Sequence, residues 1–311
     1  MTASQNDGIP AAPLPNRRKS AGSTGHRKPG SETINSERGM FMVLDRNKLL
    51  KPVEKLQTLV KEIDREPAPR DVHELRTNIR RLEAIFKALS LDRHGIDRST
   101  LKDLGRLRKC AGKVRDMDVL IRYGSTLRPK GEDESAVQLL EHLGSRRHKQ
   151  GRKLHAQSRR LRGPLRKFLK QTASVLTELV QKGGKHPGDG EAAAHVTATA
   201  AKLKAELAVP RRFGKNNLHA FRLKVKELRN ILEIAKAPQT KLVARLGAAK
   251  DAIGEWHDWE MLATIAGEAL DRNQARKLTA QLKEITKNRY REALLLAAAL
   301  RKTTQGKPLG R

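Results

Sequence analysis

The sequence predicts an all-α protein, and three observations lead to this prediction. Apolar residues recur at helical spacing from about Met40 onward, as they do on one face of an amphipathic helix. No stretch alternates polar residues with the β-branched and aromatic residues that are typical of strands. Proline and glycine fall in clusters at intervals that suit the ends of helices. We therefore expect a bundle of helices joined by short turns.

The positions of these clusters divide the helical region into nine predicted helices. Pro-rich and Gly-rich turns at 66–69, 128–131 and 183–190 are the clearest breaks. Gly163-Pro164 predicts a further break, because proline removes a helical hydrogen bond and clashes with the preceding turn. The predicted helices span residues 51–65, 70–91, 98–124, 133–162, 164–182, 190–208, 215–236, 239–269 and 271–303.

The same breaks predict the domain organisation. Residues 1–39 are rich in Pro, Gly, Ser and Arg and are predicted to form a disordered basic tail. Residues 40–183 and 191–311 are predicted to form two helical bundles, joined by a linker at 184–190.

The charge of the chain indicates a polyanionic partner. Lys and Arg number 65 against 34 Asp and Glu in 311 residues, which gives a formal net charge of +31. The predicted tail holds six cations and three anions, so +28 remains in the predicted folded part. Like charges confined to a compact fold repel one another, and a bound polyanion relieves this repulsion. The candidates are nucleic acid, an anionic membrane surface and polyphosphate.

Several classes of protein are disfavoured. Cys110 is the single cysteine, so neither an internal disulfide nor a cysteine metal site can form. No apolar run approaches the roughly 20 residues of a membrane-spanning helix, and the first residues lack an apolar signal core. We therefore expect a cytoplasmic protein without a transmembrane segment.

The cations are arranged in rows, which can be seen when residue spacing is converted into direction on a helix. In each half a row runs beside the apolar stripe, where its side chains would face a groove between helices. Residues 145–170 carry 11 Lys or Arg and no Asp or Glu, and so lack the opposite-charge pairs that usually stabilise a helix surface. The residues predicted to bind an anion are His73, Arg76, Arg80, Arg81, Lys87, Arg108, Arg115, Arg122, Arg147, Lys153, Arg160, His219, Arg222, Lys226 and Arg229.

Four carboxylates near these rows are assigned to structural ion pairs. Glu83 and Glu233 are expected to orient Arg80 and Arg229, and Asp118 is expected to be buried beside an Arg or His. Asp258 is the fourth, although its direction does not follow from the helical period. His73 and His219 could be hydrogen-bonded residues at the edge of the core or direct contacts of the anion. Neither has a second ligand at metal-binding spacing.

An internal repeat relates the two halves. Residues 73–85 and 219–231 share His, then Arg three residues later, then a cation seven residues later. About 40 residues further on, each half carries an acidic signature, Arg115-Asp116-Met117-Asp118 in the first and Gly254-Glu255-Trp256-His257-Asp258 in the second.

These motifs resemble those of the CHAD family, the conserved histidine α-helical domain. Its first motif is matched by His73, Arg76, Arg80 and Arg81, its second by His219, Arg222, Lys226, Leu228 and Arg229, and its Arg-Asp-x-Asp-Val element by Arg115, Asp116, Asp118 and Val119. A later Gly-x-x-x-Asp element is matched by Gly254 and Asp258. The sequence departs from the family pattern at Glu83, Asn230 and Ile253.

The resemblance covers about residues 45–304 and implies a fold and a function. The implied fold is two pseudo-symmetric four-helix bundles with a basic central cleft or pore. The implied function is binding of inorganic polyphosphate, with association to polyphosphate granules or, in some relatives, polyhydroxyalkanoate granules. The strand signature of the triphosphate hydrolase domain that accompanies some relatives is absent, so a stand-alone domain is expected.

The sequence is less consistent with two other functions. Nucleic acid could bind through phosphate contacts at low salt, but aromatic residues, on which single-strand binders stack bases, make up only 3% of the chain; Trp256 and Trp259 are expected in the core. Catalysis is not expected, because no P-loop or nucleophile elbow occurs and Asp116 and Asp118 would point apart on a helix. We expect no metal and no cofactor, and the oligomeric state stays open.

Overall fold

A computed structural model describes residues 44–182, 189–234 and 240–305, which form eight α-helices and one short 3-10 helix. This confirms the predicted all-α class. The helices are α1 (Arg46–Glu62), α2 (Pro69–Ala88), α3 (Arg98–Gly124), α4 (Asp133–Lys182), α5 (Asp189–Ala208), α6 (Lys215–Glu233), α7 (Thr240–Ala269) and α8 (Arg276–Gln305), with the 3-10 helix at Leu91–His94.

The predicted break at Gly163-Pro164 is wrong, because α4 is one helix of 50 residues that contains Pro164. Pro164 lies on the exposed side, while Leu161, Leu165 and Phe168 continue one buried stripe through it. An internal proline costs about 3 kcal/mol, and burial of two or three large apolar side chains offsets a cost of that size. Eight helices therefore replace the nine that were predicted.

Two other predicted boundaries shift for local reasons. Helix α1 begins before the predicted residue 51, because the Asp45 side chain accepts hydrogen bonds from the backbone N–H groups of Asn47 and Lys48 at 3.0 and 3.3 Å. Helix α5 begins at Asp189, inside the predicted linker, whose residues 184–188 lie outside the described ranges. The predicted tail, 1–39, also lies outside them.

The helices pack mainly with neighbours in the same half of the chain. In the first half α1 packs on α2 and α4, and α3 packs on α2 and α4. In the second half α6 packs on α5 and α7, and α8 packs on α5 and α7. Across the middle, α2 contacts α6 and α3 contacts α7. The four helices α2, α3, α6 and α7 therefore face one another at the centre.

Two apolar clusters hold the halves together. The larger one includes buried side chains of both halves, among them Ile79 of α2 and Leu228 of α6. The smaller one joins α3, α4, α7 and α8, and in it the rings of Tyr123 and Trp259 stack with centroids 4.5 Å apart. Trp256 and Trp259 are 3% and 6% exposed, as expected for core residues. Within the described ranges, no helix is long and apolar enough to span a bilayer.

Candidate functional site

Five arginines meet where the halves face each other. Arg76 and Arg80 come from α2, Arg108 and Arg115 from α3, and Arg222 from α6. We call these five residues the central basic cluster. All five are partly exposed, and the side chains of Arg108 and Arg115 retain 26% and 22% of their accessible surface. An ion from solvent can therefore reach them.

The electrostatics of the cluster show that the arginines act on one another across the two halves. Burial lowers the pKa of Arg80 to about 9, and the charges of Arg76, Arg108 and Arg222 add to this effect. Burial, followed by the charge of Arg115, lowers the pKa of Arg76. Burial also lowers the pKa of Arg222, with Arg115 contributing. The protein thus holds cations at mutual distances at which they repel.

Arg222 lies against the backbone of α7. Its Nε donates a hydrogen bond to the carbonyl oxygen of Lys250 at 3.1 Å. A Cβ atom at Gly254 would stand 3.1 Å from both Cζ and Nε of Arg222, and nearer still to Nη2. The guanidinium can occupy this place only because residue 254 has no side chain.

The same relation recurs in weaker form in the first half. A Cβ atom at Gly112 of α3 would stand 3.7 Å from Nε of Arg76. Seven residues earlier on each helix a second glycine faces a charged side chain, with Gly105 near Glu83 and Gly247 near Arg229. The paired glycines are a repeat signal that the sequence-based prediction does not include, because only Gly254 lies in one of its motifs.

Carboxylates neutralise part of the cluster. Arg115 Nη1 lies 3.1 Å from Oδ2 of Asp258 and 3.3 Å from Oδ1 of Asp116. Burial alone would raise the pKa of Asp258, but the neighbouring His257 and the charges of Arg115 and Arg222 outweigh it and lower this pKa. Asp258 is thus a buried anion that fixes Arg115 across the interface between the halves.

Glu83 has a different partner from the one expected. Its carboxylate lies 2.8 Å from Nε of Arg108, on the neighbouring helix α3, and acts on Arg80 only through its charge. Glu83 points across the contact between α2 and α3, which brings it to Arg108 rather than to a residue on its own helix. Arg229 does pair with Glu233, at 2.9 Å.

Arg147 lies apart from the central basic cluster, in an internal ion pair. Its Nε lies 2.7 Å from Oδ1 of Asp118, and its Nη2 donates to the carbonyl oxygen of Pro67 at 2.6 Å. These contacts satisfy much of the guanidinium and give Asp118 its cationic partner. Arg147 therefore serves to join α4 to α3 and to the turn before α2.

The other predicted residues are spread over the surface. Lys87 pairs with Glu227 across the contact between α2 and α6, and Arg122 lies over the ring of Tyr123, 5.4 Å from its centroid. Lys226 is half-buried on α6. Arg81 on α2, and Lys153 and Arg160 on α4, are exposed.

Three histidines border the cluster. Burial, followed by the charge of Arg115, lowers the pKa of His73. Burial, followed by the charge of His257, lowers the pKa of His219, whose ring centroid is 5.9 Å from that of His257. The nearby carboxylate of Asp258, whose Oδ1 lies 3.9 Å from Nδ1 of His257, raises the pKa of His257, a residue that was not among the predicted contacts. Within the described ranges no group of His, Cys, Asp or Glu residues is arranged to hold a metal ion.

Comparison with known proteins shows the family and the fold of the chain. The CHAD domain family model matches residues 48–267. The chain belongs to the CHAD family. Its fold is similar to the crystal structure of the CHAD domain from the plant Ricinus communis, with a TM-score of 0.56 and 16% sequence identity over 87% of this chain and 94% of that one. No curated protein sequence matches the chain. CHAD domains are known as non-catalytic binding domains.

Proposed function

We propose that this CHAD protein binds inorganic polyphosphate at the central basic cluster. The observation that carries the proposal is the convergence of five arginines from both halves, with Glu83, Asp116 and Asp258 as their nearest carboxylates. The lowered pKa values of Arg76, Arg80 and Arg222 mean that burying these cations, and holding them close to one another, costs free energy. A bound anion would relieve that cost.

The chemistry of the cluster suits phosphate oxygens. A guanidinium offers a planar fork of donors that can bind two oxygens of one phosphate group, and it is more weakly hydrated than an ammonium group. An unbranched phosphate chain has a charge on every unit and no bases to be recognised. The two tryptophans are buried in the core, which favours such a chain over single-stranded nucleic acid, whose bases need aromatic platforms.

The test is a double charge reversal, Arg76→Glu with Arg222→Glu. We expect the affinity for long-chain polyphosphate to fall at least about tenfold, which corresponds to about 1.4 kcal/mol. The matched control is Lys283→Glu with Lys287→Glu, two exposed residues of α8, which changes the net charge equally. Equal losses in the two variants would show that net charge alone decides binding and would refute the proposal.

Reversing two half-buried charges could also damage the fold, so the milder pair Arg76→Gln with Arg222→Gln is measured in parallel. Circular dichroism and the melting temperature check that each variant is folded. Competition with duplex DNA at equal phosphate concentration then separates the two ligand classes. If duplex DNA displaces polyphosphate, the alternative of nucleic-acid binding through phosphate contacts is the better one.

The same binding would place the protein on polyphosphate granules in the cytoplasm. A fluorescent fusion of the wild type should then follow the granules, and the double variant should be diffuse. Recruitment that persists in the double variant would show that another surface directs the protein to them.

A further inference from the structure

The exposed side of α4 carries a second concentration of cations. Three adjacent pairs repeat every seven residues, and all six side chains are exposed: Arg152 and Lys153, Arg159 and Arg160, Arg166 and Lys167. None of the six forms an ion pair or a side-chain hydrogen bond within the described part of the chain. We call these six residues the α4 outer face. It differs from the central basic cluster, where carboxylates balance part of the charge.

The α4 outer face points away from the protein core. Leu154, Leu161 and Leu165 form the buried stripe of this part of α4. At 100° per residue, Ala156 and Gly163 lie on the opposite side of the helix, midway between the two members of each cationic pair. The helix packs mainly against α1 and α3. The outer face is therefore a surface separate from the cluster among α2, α3, α6 and α7.

The spacing of the pairs makes a track along the helix. Seven residues advance about 10.5 Å and return to nearly the same direction, so each set of three cations forms a nearly straight row. The two rows run side by side, with the small residues Ala156 and Gly163 between them. A flexible anionic chain lying between the rows would meet cations on both sides at regular intervals.

The shape and composition of the face favour one kind of ligand. The phosphates of a nucleic-acid duplex wind around its axis and would diverge from a straight row of cations. The major groove of a duplex would also contact only a short part of this helix. A bilayer-binding helix presents large apolar residues, and single-strand binders present aromatic ones. Between Arg152 and Lys167 the exposed residues that carry no charge are Ala156, Gly163 and Pro164.

We propose that the α4 outer face is a second binding site for a linear polyphosphate chain, separate from the central basic cluster. This inference rests on the proposed function for its class of ligand but not for its residues. One protein would then hold two stretches of polymer. A long chain that occupies both sites would bind more tightly than a short one, because the second contact is made within the complex.

The test counts short polyphosphate chains bound per protein by isothermal titration calorimetry. The outer-face variant is Arg152→Glu with Arg159→Glu and Arg166→Glu. Its matched control is Lys283→Glu with Lys287→Glu and Arg291→Glu, three exposed residues of α8. We expect the wild type and the control to bind two chains and the outer-face variant to bind one. Exposed charge reversals should leave the helicity unchanged, which circular dichroism checks.

The Arg76→Glu and Arg222→Glu variant distinguishes the two proposals. If it also binds one chain, both sites exist. If it binds none while the outer-face variant binds as the wild type does, the second site is refuted and the central one stands. If it binds as the wild type does while the outer-face variant binds none, the central site is refuted and the outer one stands. An equal loss in the α8 control would overturn the second site as an effect of net charge.

Discussion

Replacing Gly254 with alanine should displace Arg222 from the backbone of α7 while leaving the helix intact. The added methyl group would stand 3.1 Å from Cζ and Nε of Arg222 and closer to Nη2, which is tighter than van der Waals contact allows. Helix α7 is held by buried residues along its length, among them Ile253 and Trp256. The side chain of Arg222 is therefore the part that gives way.

The size of the effect follows from two opposing contributions. Moving Arg222 removes the hydrogen bond from its Nε to the carbonyl oxygen of Lys250, and a bond with a charged donor contributes about 1.5–3 kcal/mol. Replacing a helical glycine with alanine raises the free energy of unfolding by about 1 kcal/mol. We expect the free energy of unfolding to fall by about 0.5–2 kcal/mol and the affinity for polyphosphate to fall about tenfold.

Denaturant unfolding and equilibrium binding of polyphosphate measure these two quantities. Gly267→Ala is the matched control, because Gly267 lies on the same helix and a Cβ there would have nothing within 4 Å. The control should bind normally and be stabilised by up to about 1 kcal/mol. If Gly254→Ala binds polyphosphate as tightly as the control, the position of Arg222 does not matter for binding and this prediction is wrong.

Three further predictions follow from the charges and the core. Asp258→Asn should lower the free energy of unfolding by about 2 kcal/mol, because Arg115 loses its buried partner. The same substitution should tighten polyphosphate binding, because it removes an anion that competes for Arg115. Weaker binding would contradict this role of Asp258. The lowered pKa values of His73 and His219 mean that these residues reduce stability as the pH falls below their ordinary pKa of 6.5. A bound anion favours the protonated rings, so the affinity for polyphosphate, measured by calorimetry, should rise over the same pH range. The variant His73→Gln with His219→Gln should flatten the pH dependence of both stability and affinity. If both pH dependences are unchanged in this variant, these histidines are not their cause. Trp259→Ala should lower the free energy of unfolding, measured with denaturant, by about 3–5 kcal/mol through loss of core packing. A smaller decrease would mean that the apolar cluster joining the halves adapts to the cavity.

The helical spacing of apolar residues and the positions of turn residues predicted the fold, because both determine the structure of a short segment of the chain. Every predicted helix corresponds to a helix or part of a helix in the structure, and α3 ends at Gly124 as expected. Pro164 misled the prediction, because its cost is local whereas the apolar stripe that offsets it extends over the whole of α4. Helix ends that depend on a cap, such as Asp45 for α1, shifted by a few residues.

Contacts between helices were harder to predict from residue spacing. Spacing on one helix identifies a row of cations, but the partner of Glu83 depends on which side chain of α3 faces it. Arg147 belonged to a basic segment by composition, yet the turn before α2 and Asp118 of α3 turn it inward. The role of Gly254 depends on an arginine from another helix. These features need the packing of helices, which the sequence pattern alone does not provide.

A crystal structure of the protein with polyphosphate bound would show whether phosphate groups lie among the five arginines that join the two halves. We expect a phosphate chain within hydrogen-bonding distance of Arg76, Arg80 and Arg222. A chain bound elsewhere, with the central arginines held only by Glu83, Asp116 and Asp258, would contradict this expectation.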